Sequence, residues 1–559
     1  MMMASLCRLG ILCWVLFNPV TASSMPIVEQ APTTVEAIWD REMPSRVESV
    51  AVFHDEIEIR VDVRDSEAEL VGIPMERSWD ARPELAHTVK IGSVGASTLR
   101  VPRVIDVGGK SIDRLFYRWM IVARNGQGDG ALSHARYADM IALKRPSPSE
   151  KIPTSKKGLG GWHHPSHAKI ENDLEELKIA SVTVNVFPLH QFVDLQPSPE
   201  GKPFQWQGRT YYLREDRMVR YDEIFRKAMQ HDAMVSAILL VANPKTSNSP
   251  EAQLLGHPDA EASAHFAMPN VQSSDGLAYY GAILDRMADR WSRPDGSFGR
   301  IHHWIAHNEV DYGWEWTNAG TKSDAEYLDL YQRSLRLIHL VVRQYDDHGR
   351  PFVSLTHHWT AKGHARGYGS KRILDLLSKC EKAEGHFPWG LAYHPYPQSL
   401  FGPRTWEDKQ AQYSFDTPKI TPRNLEVLEA YLHQPEFRYR DTIRPIHLSE
   451  NGFHSRDYSD QALEEQAAGM AYAWNKVRRL PSIQAWHYHN WVDNRHEGGL
   501  RIGLRRFPDD PDEPFGKKPI WHLYQAFDSS GEESAMAPYL KTIGIPSWEN
   551  AIRTEPIAP

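Results

Sequence analysis

Cysteine is nearly missing from this chain: there are three in 559 residues, at positions 7, 13 and 380. Were the first 22 residues removed, Cys380 alone would remain and no internal disulfide could form. That excludes a small disulfide scaffold and requires a large, self-sufficient core, as exported bacterial enzymes have. Long apolar runs are also scarce. Leu9–Phe17 is the strongest, and it is too short to anchor in a bilayer. Net charge is mild, −8, with no basic stripe, so nucleic acid and anionic membrane surfaces are poor partners. No short repeat period is present, which excludes a solenoid.

Met1–Ala22 reads as a secretory signal, with Arg8 before the apolar stretch and Val20-Thr21-Ala22 as a small-residue cleavage site. Neither Cys7 nor Cys13 follows the small residue that lipid attachment requires. A secreted or periplasmic protein without a membrane anchor is therefore expected. From residue 25 to 143 the texture is β: Ile57, Ile59, Val61 and Val63 alternate with Glu58, Arg60 and Asp62, one face apolar and one polar. Arg114–Arg124 is a further strand, closed by a turn at Asn125–Gly130. A small β-sandwich of immunoglobulin or fibronectin type is expected, more as a spacer than as a binding module. Residues 144–157, rich in Pro, Ser, Lys and Arg, have linker composition.

Beyond the linker the rhythm becomes strand, helix, strand, helix. Eight strand candidates follow, at Gly158–Trp162, Ser181–Phe187, Met234–Val241, Ile301–Asn308, Pro351–Thr356, Leu391–Pro397, Ile443–Phe453 and Ile483–Val492. Amphipathic stretches separate them, the first carrying Ile170, Leu174 and Leu177 on one face, another opening with the capping-box spacing Ser323-x-x-Glu326. A hairpin turning at Gln207-Gly208 decorates the loop after strand two. The fold class expected is α/β: a (β/α)8 barrel over residues 158–530, preceded by the all-β domain and followed by an extension at 531–559.

In such barrels working residues lie at the carboxyl ends of strands. That rule selects His163 and His164, His190, Asn243, Asn308 and Glu309, His358 and Trp359 with His357, His394 and Tyr396, Glu450, and Trp491 with His489 and Asp493. Acids, imidazoles and aromatics without a thiol suit hydrolysis of a glycosidic bond, with flat rings stacking on sugars; 18 Trp and 22 Tyr supply them. One carboxyl donates a proton to the leaving oxygen while the other, ionised, attacks the anomeric carbon. A hydroxyl from Tyr396 to Glu450 would favour the ionised form there, leaving Glu309 as the acid. This chemistry needs neither metal nor cofactor; its partner is a carbohydrate.

Asn308-Glu309 on strand four, His394-Pro395-Tyr396 on six, Ser449-Glu450-Asn451-Gly452 on seven and Trp491 on eight together resemble clan A of the glycoside hydrolases, the retaining "4/7" superfamily. The resemblance covers roughly residues 158–527. It implies Glu309 as acid/base, Asn308 on the sugar 2-hydroxyl, Glu450 as nucleophile, His394 and Tyr396 orienting that nucleophile, and Trp491 as the floor of the first subsite. The chain departs from the pattern in lacking an evident strand-two Arg and in carrying His357-His358-Trp359 on strand five. The whole chain is also similar to a family of secreted bacterial proteins of unassigned function.

Several of these residues have plainer readings. His302-His303 begins strand four and faces the wrong end of the barrel. Trp304 and Trp486 suit packing; Trp314 and Trp316 suit a substrate wall. Asp493, Arg495 and Glu497 read as a solvated ion-pair cluster, and Cys380 as a buried small apolar residue. Two other functions compete: a metal-dependent barrel hydrolase using the strand-end histidines, and a non-catalytic sugar-binding barrel. Oligomeric state has no signature here.

Overall fold

A computed structural model describes residues 34–558 apart from 66, 79–87, 92–93, 124–129 and 164. The leader-like Met1–Ala22 and most of the turn expected at Asn125–Gly130 fall outside the described residues.

Eight parallel strands close into a barrel: Lys157–Leu159, Ser181–Val186, Met234–Leu239, His303–Ala306, Arg350–Thr356, Gly390–His394, Ile446–Asn451 and Ile483–Tyr488. Closure occurs at the first strand, where Gly158 is in register with Ser181 on one side and His487 on the other. A β-carbon at Gly158 would lie 2.6 Å from the His487 ring and 2.9 Å from Ser181 Oγ, so no other residue fits that seam. Seven of the eight strands end earlier than their apolar runs suggested, because the residues beyond leave the ladder to form the mouth; strand five ends at Thr356 as expected.

Helices cover the barrel at Glu215–Gln230, Ser274–Trp291, Asp324–Val342, Ser370–Glu384, Leu425–Leu432, Asp460–Val477 and Pro519–Ala526. The first shows why: Met218, Tyr221, Ile224, Phe225 and Ala228 recur at three- and four-residue steps and are all buried. Ser323 and Glu326 form the reciprocal capping box that opens the longest helix. The segment after strand one differs from expectation. It folds as a 3-10 turn, Ala168–Ile170, and one helical turn, Asp173–Glu176. Ile170, Leu174 and Leu177 are still buried, but Asp173 is drawn inward to Arg505 (2.6 and 2.7 Å) and the Trp491 indole N–H (2.7 Å). That buried ion pair pins the segment before a longer helix forms.

Ahead of the barrel lie a four-stranded sheet (Gly95–Pro102, Glu56–Val63, Arg46–Val52, Met140–Ile141), a three-stranded sheet (Thr88–Lys90, Ala68–Pro74, Tyr117–Ala123) and a hairpin, Val104–Val107 with Lys110–Asp113. Ile57, Ile59, Val61 and Val63 are fully buried, while Arg60 is exposed. Polar ties join these sheets to the barrel. Arg103 holds Asp113 in a bidentate grip and also reaches Gln344, and buried Arg118 pairs with Glu384 at 3.2 Å. Among the described residues no helix is long and apolar enough to cross a membrane.

The barrel interior is unusually polar. Ile238, Leu240, Ile305, Phe352 and Ala392 make one apolar plug. Beside it stand three buried imidazoles: the His303 ring lies 4.6 Å from that of His447, which lies 5.9 Å from that of His487. Burial, helped by the charge of Arg350 near the first two, holds all three neutral, His487 with a pKa of about 3. In the unfolded chain each takes up a proton below about pH 6.5; in the barrel it does not. The unfolded state then binds more protons, so stability falls as pH drops, by about 1.4 kcal/mol per pH unit per histidine. Urea unfolding between pH 6 and 4.5 should show that slope reduced by about one such increment in His447→Leu. An unchanged slope would mean that His447 already carries its proton in the folded barrel.

Candidate active site

Strand four ends at Ala306, and the next three residues make a corner. His307 (φ 67°) and Glu309 (φ 42°) both adopt the left-handed backbone, costly for residues with side chains. Surrounding bonds enforce it: buried His307 uses Nδ1 on the Leu239 carbonyl (3.0 Å) and Nε2 on Ser334 Oγ (2.8 Å), and Glu309 N–H donates to Ser354 Oγ (2.9 Å). The corner turns Glu309 into the barrel mouth, half-buried. Asn308 Oδ1 is buried without a partner among the described residues, an acceptor left open beside it.

Strand seven delivers Glu450 as its penultimate residue. Asn451 Nδ2 donates to the His487 carbonyl at 3.0 Å, locking the strand end onto strand eight. A β-carbon on Gly452 would lie 2.0 Å from the His489 carbonyl, so glycine is obligatory there. Between the two acids stands strand six. Tyr396 Oη donates to Glu450 Oε1 at 2.8 Å, and His394 Nδ1 meets Glu309 Oε1 at 2.8 Å. One atom each from Glu309, His394 and Glu450 lie within 4.8 Å of one another.

Burial alone would lower the pKa of His394, but the charges of Glu450 and Glu309 outweigh it and raise it above the ordinary value. Burial and Glu450 together push the Tyr396 hydroxyl well up, so it remains a donor. His394 therefore keeps its proton more readily than an ordinary imidazole, beside Glu309 Oε1. Asp311, two residues on, is fully buried and accepts from Thr356 N–H (2.9 Å), Thr356 Oγ (2.5 Å) and Ser370 Oγ (3.0 Å). Burial raises its carboxyl to about 6, with Glu309 adding to the effect. It ties the corner after strand four to the end of strand five.

Other selected residues fall into two groups. His163 is exposed and stands edge-on to Trp491 at 5.5 Å. Tyr312, next to Glu309, stacks with His358 (5.8 Å, 14°) and packs on Trp314 (5.1 Å), which packs on His364 (4.3 Å). These rings form a wall running away from Glu309. His164 lies outside the described residues.

Six residues are placed otherwise than expected. Trp491 is 1 % exposed, its indole N–H given to Asp173; the chain leaves strand eight at Tyr488, so His489, not Trp491, is first past its end. Trp359 is fully buried against Tyr431 with its N–H on the Phe415 carbonyl. Asn243 is buried, its amide N–H groups on the Glu261 and Ala264 carbonyls and its oxygen on Lys245 N–H, bracing the long loop it begins. His190 sits in a 3-10 turn tied to Tyr279, and the acid beside its ring is Glu251. His394, expected on the nucleophile, bonds the opposite acid. Asp493 is not solvated either: it is buried against Lys518 at 3.0 Å.

The residues that spacing undervalued are His489 and Glu497. Glu497 accepts from His489 Nε2 (3.2 Å), Asn490 Nδ2 (3.0 Å) and Asn494 Nδ2 (3.0 Å), folding the last loop onto the mouth. Both residues line a cavity of about 460 Å³ with His163 and Asn185. The strand-end rule selects His489, whereas the signal for Glu497 is the run of amides and charges at 489–497, which also suits a surface loop.

A family model described as "Family of unknown function (DUF5722)" matches residues 149–551. The chain belongs to DUF5722. No curated protein matches this DUF5722 chain. Solved structures similar to it include a family 39 glycoside hydrolase from Bacteroides cellulosilyticus WH2, 13% identical, TM-score 0.43, over 88% of this chain and 81% of that one. They also include β-glucuronidases from Ruminococcus gnavus (11% identical, TM-score 0.37, 86% of this chain and 68% of that one) and Bacteroides uniformis (13% identical, TM-score 0.37, 87% and 49%). Likeness at this level assigns no activity.

Burial lowers the pKa of His489, yet Glu450 and Glu497 overcome it and raise it to about 9. Between about pH 6.5 and 9 the unfolded ring loses its proton while the folded ring keeps it, so its contribution to stability vanishes as pH rises through that window. In Glu497→Gln the NMR-detected midpoint of His489 should fall below that of the parent. An unmoved midpoint would remove Glu497 from the account.

Proposed function

We propose that this DUF5722 protein is a glycoside hydrolase that retains anomeric configuration. The observation that carries the reading is the placement of Glu309 and Glu450 on facing strands with carboxylate atoms within 4.8 Å. Retaining enzymes need their carboxyls about 5–5.5 Å apart, whereas inverting ones leave roughly 6.5–9.5 Å for a water.

In this scheme Glu450, ionised and steadied by Tyr396, attacks the anomeric carbon from one face of the sugar. Glu309 gives its proton to the departing glycosidic oxygen and is left ionised, its charge met by the hydrogen bond from His394 Nδ1. The C–O bond to the leaving sugar breaks as the ester bond to Glu450 forms. Water then enters the vacated side and Glu309 takes its proton. The hydroxide equivalent adds to the anomeric carbon, and Glu450 leaves as carboxylate. Asn308 Oδ1 is free to accept from a sugar hydroxyl, and the Tyr312–Trp314–His364 wall offers flat faces for further rings. The leader-like Met1–Ala22 fits export, placing the substrate outside the cytoplasm.

Incubation with a panel of plant, algal and bacterial glycans, read by chromatography, should reveal a cleaved substrate. On it Glu309→Gln and Glu450→Gln should each lower turnover by at least about 1,000-fold while leaving the melting temperature near that of the parent. Azide added to Glu450→Gly should restore turnover and yield a glycosyl azide of inverted configuration. No rescue by any small anion would remove the nucleophile role. The same Glu309–His394–Glu450 group has ligand atoms close enough to hold a metal ion. Activity abolished by chelator and restored by a divalent cation would favour the metal-dependent hydrolase instead.

A further inference from the structure

A second cavity lies away from the acids, where the N-terminal hairpin Val104–Asp113 meets the hairpin that follows barrel strand two, Lys202–Trp206 with Arg209–Leu213. The two hairpins are clasped. Gln207, at the tip of the second, accepts from Asp113 N–H (2.9 Å) and donates to the Asp113 carbonyl (3.2 Å). A β-carbon on the neighbouring Gly208 would lie 2.6 Å from Lys110 Cβ, so the tips touch backbone to backbone. Arg103 fixes the Asp113 carboxylate and Gln344 at the same junction. The walls are therefore built by bonding, and they enclose about 450 Å³, inside the roughly 300–1,000 Å³ range of small-molecule sites.

Its lining is of two kinds. Phe116, Trp206 and Tyr117 present ring surface, with the first two rings 5.5 Å apart and tilted. Glu76, Lys110 and Arg209 supply charge. The Glu76 carboxylate is half-buried and accepts from its own backbone N–H, but no side chain among the described residues donates to it. Arg333 reaches only its backbone carbonyl, at 3.2 Å, while Arg209 is spent on Asp275 and Ser274. Burial raises the Glu76 pKa, with that backbone bond and the nearby arginines only partly offsetting it. A carboxylate with one backbone donor keeps capacity to accept from a ligand's hydroxyls. Lys110 is exposed and has no carboxylate partner among the described residues. Aromatic faces beside one open acceptor and one open donor suit a neutral ring that has an apolar face and a hydroxyl edge.

We propose that this cavity is a second carbohydrate site, taking one or two sugar rings between the N-terminal sheets and the barrel, with Trp206 as the stacking face and Glu76 accepting from ring hydroxyls. It contains none of the residues assigned to catalysis.

Crystals of the full chain soaked in cellobiose, maltose, xylobiose or mannobiose should show sugar density in this cavity for at least one of the four. Titration calorimetry of the Glu309→Gln chain with that disaccharide should show a binding phase that Trp206→Ala weakens at least tenfold and Trp206→Tyr largely keeps. Because Trp206 also packs on Phe116, Glu76→Gln is the second variant; it should weaken the same phase while circular dichroism and melting stay at parent values. Density found only at the acid pair, or a binding phase indifferent to both Trp206→Ala and Glu76→Gln, would overturn the proposal. So would occupancy by choline to the exclusion of all four sugars, since that marks a cation site. If no glycan is cleaved at the acid pair but sugar density is present here, the catalytic reading fails and this one stands.

Discussion

Two carboxylates cannot be brought within 4.8 Å at a half-buried barrel mouth without something to divide them. Strand six does this, with His394 toward Glu309 and Tyr396 toward Glu450, each at 2.8 Å. The two donors differ in kind. A tyrosine held far above its usual pKa can only donate, so it favours charge on Glu450. An imidazole can give or take a proton, so the acid beside it can cycle. That chemical asymmetry lets two like residues do unlike work.

Around this arrangement the protein accepts local cost. His307 and Glu309 sit in the left-handed region, and the barrel interior carries His303, His447 and His487 where aliphatic side chains would pack without desolvation penalty. Stabilisation comes from outside the strands. The helix Asp324–Val342 buries nearly every side chain it has, and Ser370–Glu384 buries Ile373, Leu374, Leu376 and Leu377. Such an apolar shell tolerates a polar centre because it scales with buried area, whereas the polar centre costs only a few groups.

The mouth is braced by bonds that reach across loops. Asp173 links the loop after strand one to Arg505 and Trp491; Asp311 links strand four to strand five; Asn243 closes the long loop after strand three upon itself. Each is a buried polar side chain with its capacity filled, which is what gives irregular backbone a single conformation. Substitution at such positions would be felt at the acids without touching them.

Period-two and period-3.6 patterns suffice to place eight strands and all but the first of their helices, because alternation and amphipathicity are local consequences of which face is buried. The strand-end rule likewise leads to Glu309 and Glu450 as candidates from sequence alone, and the capping box at Ser323 reads directly. What lies beyond local reach is direction. Trp491 and Trp359 have the composition of sugar platforms yet turn inward, since Asp173 and the Phe415 carbonyl, distant in sequence, take their N–H groups. His394 faces Glu309, not Glu450, and Glu497 gathers His489 and two asparagines, because barrel closure sets those neighbours. Sequence determined which residues reach the mouth; only the closed barrel, through contacts between segments far apart in the chain, decided which way each side chain points.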